Sequence, residues 1–148
     1  MLNQMKKVWK EQRGLTLIEL LAVVVILGII AAIAVPAIGN IIENQKLKTH
    51  KANAIMVLDA AKLYYLDNPE EVSKDVDLKT LAEANANNGK KYLDAIPINP
   101  ETNQPYTNGT IKYNNGDLMI TLEGAKLGKD KKEIKDMTRQ DILKDGNK

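Results

Sequence analysis

The sequence predicts an α+β protein in which the outer half of a long N-terminal helix packs on a small antiparallel β-sheet. Three observations predict it. Leu20–Gly39 is an unbroken run of twenty residues without a charge or a strongly polar side chain. Apolar residues then recur at three- and four-residue steps as far as Tyr65. Later, two alternating runs flank Asn114-Asn115-Gly116-Asp117.

The apolar content is segregated. The 148-residue chain is 44% hydrophobic, yet its mean hydropathy is −0.30, because the run sits in an otherwise polar sequence. There is no Cys, which excludes disulfides, thiolate metal sites and a cysteine nucleophile. With no Phe and five Tyr, a core must rest on Leu, Ile, Val, Ala and Tyr. The net charge of +2 is uneven. Residues 1–14 hold Lys6, Lys7, Lys10 and Arg13 against Glu11, a balance of +3, which leaves −1 for the remainder. A near-neutral remainder is a poor candidate for strong nucleic-acid binding, since phosphate attraction scales with the cations supplied.

As a helix, twenty residues span ~30 Å, the thickness of a bilayer's hydrocarbon core. Val and Ile are mediocre helix formers in water, but in lipid a helix satisfies every backbone polar group. The basic residues ahead of the run predict a cytoplasmic N-terminus and an extracellular C-terminal head. Three readings of this segment compete. It is an uncleaved single-pass anchor, a secretory signal cut at Ala32-Ile33-Ala34, or a segment with its boundary at Arg13-Gly14-Leu15-Thr16-Leu17-Ile18-Glu19. Glu19 discriminates. An ordinary anchor or signal gains nothing from a carboxylate near the start of its apolar stretch and loses solvation energy by carrying one.

Gly14-Leu15-Thr16-Leu17-Ile18-Glu19-Leu20-Leu21, after a short basic leader and before an apolar run, resembles the class III signal of type IV pilins and pseudopilins. The resemblance implies a prepilin peptidase that cuts between Gly14 and Leu15 on the cytoplasmic side and methylates the new N-terminus, Leu15. Gly before the scissile bond suits a narrow protease cleft, since it brings no side chain to clash. The family usually has Phe after the cut, where this chain has Leu15. That departure bears on processing efficiency more than on the position of the cut.

The resemblance also gives Glu19 a role. A cut would leave a cationic α-amine on Leu15, four residues before the carboxylate. In an apolar setting each charge is costly alone and tolerable when paired. The family implies that Glu19 of one subunit meets the Leu15 amine of a neighbour during assembly; pairing within one chain, or a carboxylate snorkelling to the interface, is the alternative. Pro36 removes a backbone donor and predicts a kink, and Gly28 weakens the helix again. The family implies partial unwinding between Gly28 and Pro36 in the filament; both residues are also common in transmembrane helices for packing reasons.

Beyond Gly39 the helix becomes amphipathic. Leu47, Ala54, Ile55, Leu58, Ala61 and Tyr65 share a face, and Asp67-Asn68-Pro69 ends it. A helix from Leu15 to Leu66 is ~75 Å long and must bury its apolar half in lipid or against sister chains. Lys46, Lys48, His50 and Lys51 read as a solvated basic face; meeting DNA or anionic lipid is the functional alternative. Asp75–Ala84 predicts a short helix with Asp75 or Asp77 as N-cap and Leu78, Leu81 and Ala82 inward, and 85–89 breaks it. Residues 92–106 hold three of the five prolines and predict an extended, rigid loop. This stretch resembles the Pro-rich loop of pseudopilins and Gram-positive pilins, where an Asp often stands at the place of Asn99. Asn99 and Gln104 are weak oxygen ligands, so no metal site is expected. Thr110–Tyr113 and Leu118–Leu122 predict a β-hairpin closed by Asn115-Gly116, with Leu118, Ile120 and Leu122 inward. Asn108-Gly109-Thr110 matches a glycosylation sequon and reads as a turn. From Lys129 through Asp145 six basic and five acidic residues interleave, which predicts a solvated, mobile tail, with Thr138–Asp141 able to cap a short helix.

The expected layout is a cytoplasmic leader over 1–14 that is removed, a transmembrane and filament-core helix over 15–39, an amphipathic helix over 40–67, a loop-and-hairpin head over 68–128 and a charged tail over 129–148. By resemblance the function is structural: a subunit of a pilus, or of a secretion or DNA-uptake pseudopilus. Its implied partners are copies of itself, minor pilins, the peptidase, a platform protein, an assembly ATPase and the membrane. The resemblance does not separate these systems. An enzymatic role is not expected, because the sequence holds no nucleophile–His pair, phosphate loop or paired carboxylates in a cleft-like context; no cofactor is expected either. The rival is an uncleaved, single-pass, membrane-tethered binding module.

Overall fold

The computed structural model describes residues 16–85 and 88–144 in full, and the backbone alone over 2–15 and at 145. The chain divides into two compact units, Met1–Ile42 and Glu43–Lys148.

The first unit is helix throughout its described residues, the opening part of α1 (Leu2–Asp67). The helix runs unbroken through Gly28 and Pro36. Every large apolar side chain from Leu17 to Ile42 is 52–72% exposed, so the described residues of this unit form no core of their own.

In the second unit α1 has two unlike faces. His50, Ala54, Val57, Leu58, Ala61, Tyr64 and Tyr65 are buried, at the three- and four-residue steps of one helix face, while Met56, Leu63 and Leu66 stay exposed. Leu47 and Ile55, expected on the inner face, are half-buried at its margin. The helix ends where Asn68 folds back, its backbone N–H and its Nδ2 donating to the Tyr64 carbonyl at 2.9 and 2.8 Å. Pro69 then opens a single 3-10 turn, Pro69–Glu71.

Strand β1 (Val76–Asp77) leads into α2 (Leu78–Ala82). Asp77 is the N-cap, accepting from the Thr80 backbone N–H at 2.7 Å, and Leu78 and Leu81 point inward. The Pro-rich stretch is more ordered than an extended loop. It holds a two-stranded ribbon, β2 (Ile98–Asn99) against β3 (Gln104–Pro105). Asn99 makes it possible: its Oδ1 accepts from the Glu101 N–H at 2.8 Å, its carbonyl accepts from the Asn103 N–H at 2.8 Å, and Asn103 takes a φ of 57°. Pro105 is tolerated because the ribbon is two residues long and needs no donor there.

The hairpin of β4 (Gly109–Asn114) and β5 (Asp117–Leu127) forms as expected, Asn114 opposite Asp117, with φ of 49° at Asn115 and 91° at Gly116. Ile120 and Leu122 are buried, and Leu118 is partly so. The sequon triplet reads differently from a turn, because Gly109 and Thr110 already belong to β4.

The predicted tail is the principal correction. Residues 132–145 form β6 (Lys132–Thr138) and α3 (Arg139–Asp145), and β6 closes a sheet in the order β1-β4-β5-β6. Three apolar residues among the charges account for it: Ile134, Met137 and Ile142 are buried in the common core. Thr138 and Asp141 cap α3 reciprocally. The Asp141 carboxylate accepts from the Thr138 N–H at 3.0 Å and hydroxyl at 2.7 Å, and the Thr138 hydroxyl accepts from the Asp141 N–H at 3.3 Å.

Candidate functional site

The strongest functional feature is the bare helix of the first unit. Among the described residues, one helix is long and apolar enough to cross a membrane, and its most apolar window is wholly unburied. Covering its large side chains is worth about 1.5–3 kcal/mol each, tens of kcal/mol together. Among the described residues nothing supplies that cover. Lipid does, and so do parallel helices of other copies.

Between Thr16 and Ile42 this surface carries one charged residue, Glu19. It makes no ion pair or hydrogen bond among the described residues. Even at a helix centre a single charge costs about 2.5–3.5 kcal/mol on insertion scales, far less than the apolar surface gains, so Glu19, at the start of the run, does not prevent insertion. Its cost becomes decisive only where helices pack on helices and water is excluded. There a carboxylate requires a cation. Gly14 and Leu15 lie in the opening residues of α1 whose side chains fall outside the described set, so the proposed cut and methylation site are placed by sequence alone. Around Gly28 the space where a Cβ would stand is open to 4 Å, as on any exposed helix surface.

In the second unit the charged segment after Lys129 is fastened to α1. Lys131 Nζ meets Glu43 Oε1 at 2.7 Å, Arg139 pairs with Asp59, and Lys51 Nζ donates to the Leu143 carbonyl at 3.2 Å. Lys131 holds the Glu43 carboxyl below its ordinary range, and Glu43 in turn raises the Lys131 ammonium. At the far end of α1, Asp67 accepts from Lys90 Nζ at 2.8 Å and from the Tyr92 hydroxyl at 3.1 Å, which lowers its carboxyl.

The basic face reads differently in part. Lys48 is exposed, but His50 is fully buried with Nδ1 2.6 Å from the Tyr106 hydroxyl. The spacing contained the signal, because position 50 precedes Ala54 and Val57 by four and seven residues on the buried face. Asn99 is buried and turns its Oδ1 to its own loop, while Gln104 lies exposed in β3. Among the described residues no three His, Cys, Asp or Glu side chains converge.

Residues 9–35 match the family model of the prokaryotic N-terminal methylation motif. The chain is similar to the type II secretion system core protein G of Vibrio cholerae, 32% identical over 142 residues that cover 93% of this chain and 94% of the relative. It is similar to the core protein G of Pseudomonas aeruginosa, 34% identical over 104 residues covering 66% and 72%. It is also similar to the type IV major fimbrial protein FimA of Dichelobacter nodosus, 34% identical over 94 residues covering 62% and 56%. No solved structure matches the chain.

Proposed function

Because this chain belongs to the family of type IV pilins and pseudopilins and is a structural filament subunit rather than an enzyme, we propose that it is cut between Gly14 and Leu15 and polymerises from the membrane as residues 15–148. One observation carries the reading: an uncovered apolar helix whose single carboxylate, Glu19, lies four residues after Leu15. Its cover is lipid before assembly and sister helices afterwards.

In this reading a prepilin peptidase recognises Arg13-Gly14-Leu15 on the cytoplasmic face and methylates the Leu15 amine. The basic residues 6–13 keep the N-terminus inside and the head outside. In the filament Glu19 of one subunit takes the Leu15 ammonium of the next, a pairing that fixes axial register because it is the only charge match available in the apolar core. The stretch from Gly28 to Pro36 loosens on assembly, where neighbouring backbones stand in for the donor that Pro36 lacks. Residues 15–39 form the filament core, 40–67 the stem and 68–148 the remaining head. A platform protein, an assembly ATPase and minor pilins complete the machine.

A secretion-type pseudopilus is favoured over a surface pilus. The similarity to the Vibrio cholerae core protein G extends over nearly the whole chain, head included, whereas that to FimA covers 56% of the latter.

Mass spectrometry of the membrane-extracted protein tests the reading. The expected N-terminus is Leu15 bearing one methyl group. An intact Met1 in assembled material overturns the cut and favours the tethered binding module.

A further inference from the structure

We propose that His50 and Tyr106 form an acid-sensitive latch that holds the loop 97–106 on α1. The inference concerns the second unit alone and does not rest on the filament reading.

His50 is fully buried, and its two ring nitrogens are treated unequally. Nδ1 lies 2.6 Å from the Tyr106 hydroxyl, while Nε2 is buried without a hydrogen-bond partner. Tyr106 is itself buried and closes the loop, its N–H donating to the Pro97 carbonyl at 3.0 Å. Two other side chains of α1 hold the same loop from the surface. Asn53 Nδ2 donates to the Ile98 carbonyl at 2.9 Å, and Lys46 Nζ meets Glu101 at 3.4 Å. The His–Tyr pair is the buried one of the three attachments.

A neutral imidazole fits this pocket. In the tautomer that carries its proton on Nε2, the bare Nδ1 accepts the Tyr106 hydroxyl proton, and burial keeps that phenol protonated by raising it above its ordinary range. An imidazolium does not fit. Protonation puts a second N–H on Nδ1, so both nitrogens donate, the Tyr106 hydroxyl loses its acceptor and a charge is added at a buried site. The charged groups facing the ring do not reverse this. Burial opposes the cation most, Glu101 on the loop favours it, and Lys126 on β5 and Lys46 on α1 oppose it, so the ring is held below the ordinary histidine range. Glu101 is moreover engaged with Lys46.

The sign follows from linkage. The closed loop binds a proton on His50 less readily than the open one. Closure is therefore at full strength above the ordinary histidine value of about 6.5 and weakens as pH falls below it, by up to about tenfold per pH unit until the closed ring itself titrates. Carboxylates titrate lower, at about 4, so the window belongs to His50.

The test uses the full chain in detergent micelles, and the single histidine makes its imidazole resonance unambiguous. Amide hydrogen exchange of 97–106, corrected for intrinsic rate, is compared with that of the hairpin 109–127 at pH 7.5, 6.5 and 5.5. The latch predicts an imidazole still mostly neutral at pH 6.5, and a loss of protection in 97–106 of up to about fivefold between pH 6.5 and 5.5 while the hairpin is unchanged. His50→Gln flattens that pH dependence. Tyr106→Phe, which keeps the ring and removes the hydroxyl, lowers loop protection already at pH 7.5. Protection of 97–106 that follows the hairpin at every pH, a pH response that survives in His50→Gln, or a Tyr106→Phe loop as protected as the parent's each overturns the latch.

Discussion

Ile134 on β6 lies directly across the ladder from Leu122 on β5, and both side chains are buried to within 1% of full enclosure. The contact makes the C-terminal charged segment part of the head's core. Ile134→Ala removes three carbons from a packed interior and is expected to cost about 2–5 kcal/mol. Urea unfolding of the full chain in micelles, followed by near-ultraviolet tyrosine dichroism, measures it. A loss below about 0.5 kcal/mol would return 132–138 to the status of a surface appendage.

Gly109 is fixed by close approach. A Cβ built there stands 2.8 Å from the Leu78 side chain and 2.9 Å from that of Leu122, nearer than carbon atoms tolerate. Gly109→Ala is therefore expected to destabilise the head by about 1–3 kcal/mol through forced repacking of α2 against the sheet. The same substitution at Gly28, whose surroundings are open, is expected to leave the head's unfolding midpoint unchanged.

These two residues also show where the sequence was legible and where it was not. Local signals read cleanly. The Asn115-Gly116 turn, the Asp77 cap and the halt at Asn68-Pro69 are each decided within four residues, and the structure places all three as expected. The C-terminal strand was hidden because its period-two pattern is broken: a register shift and Asp136 at φ 47° leave Ile134 and Met137 three apart rather than two. Charge interleaving then outweighed three apolar positions. His50 was misread because its lysine neighbours in sequence are not its neighbours in space. The exposed apolar helix was the most legible of all, since a run of that length needs no tertiary information to be interpreted.

Acid should reveal the Asp77 cap. The Asp77 carboxyl is held below its ordinary range by its hydrogen bonds to Thr80. A carboxyl lowered in the folded state contributes stability above its unfolded value, about 3.9, and loses that contribution as pH falls through 3.9 toward the lower folded value. Asp77→Ala is accordingly expected to cost about 1 kcal/mol at pH 7. The gap from the parent should narrow below pH 4. Urea midpoints of the two proteins at pH 7, 5, 4 and 3 check both the size and the convergence; a pH-independent gap would assign the loss to something other than the carboxylate.

Glu19 separates insertion from assembly. Its removal takes away a cost below the about 2.5–3.5 kcal/mol of a charge at a helix centre, so Glu19→Ala should insert at least as well as the parent. Gly14 and Leu15 are untouched, so trimming should proceed. On the proposed pairing, by contrast, the variant would leave each Leu15 ammonium without its carboxylate in the packed filament, and breaking one partner of a buried pair costs about 3–5 kcal/mol. That loss recurs at every subunit added, and at 1.4 kcal/mol per decade it weakens each step by a hundredfold or more. Sheared-filament yield, compared with the membrane pool of trimmed subunit, is expected to fall to background for Glu19→Ala, while Glu19→Asp, which keeps the charge on a shorter stem, retains part of it. Filaments of Glu19→Ala at parental yield would show that the register is set elsewhere on the helix.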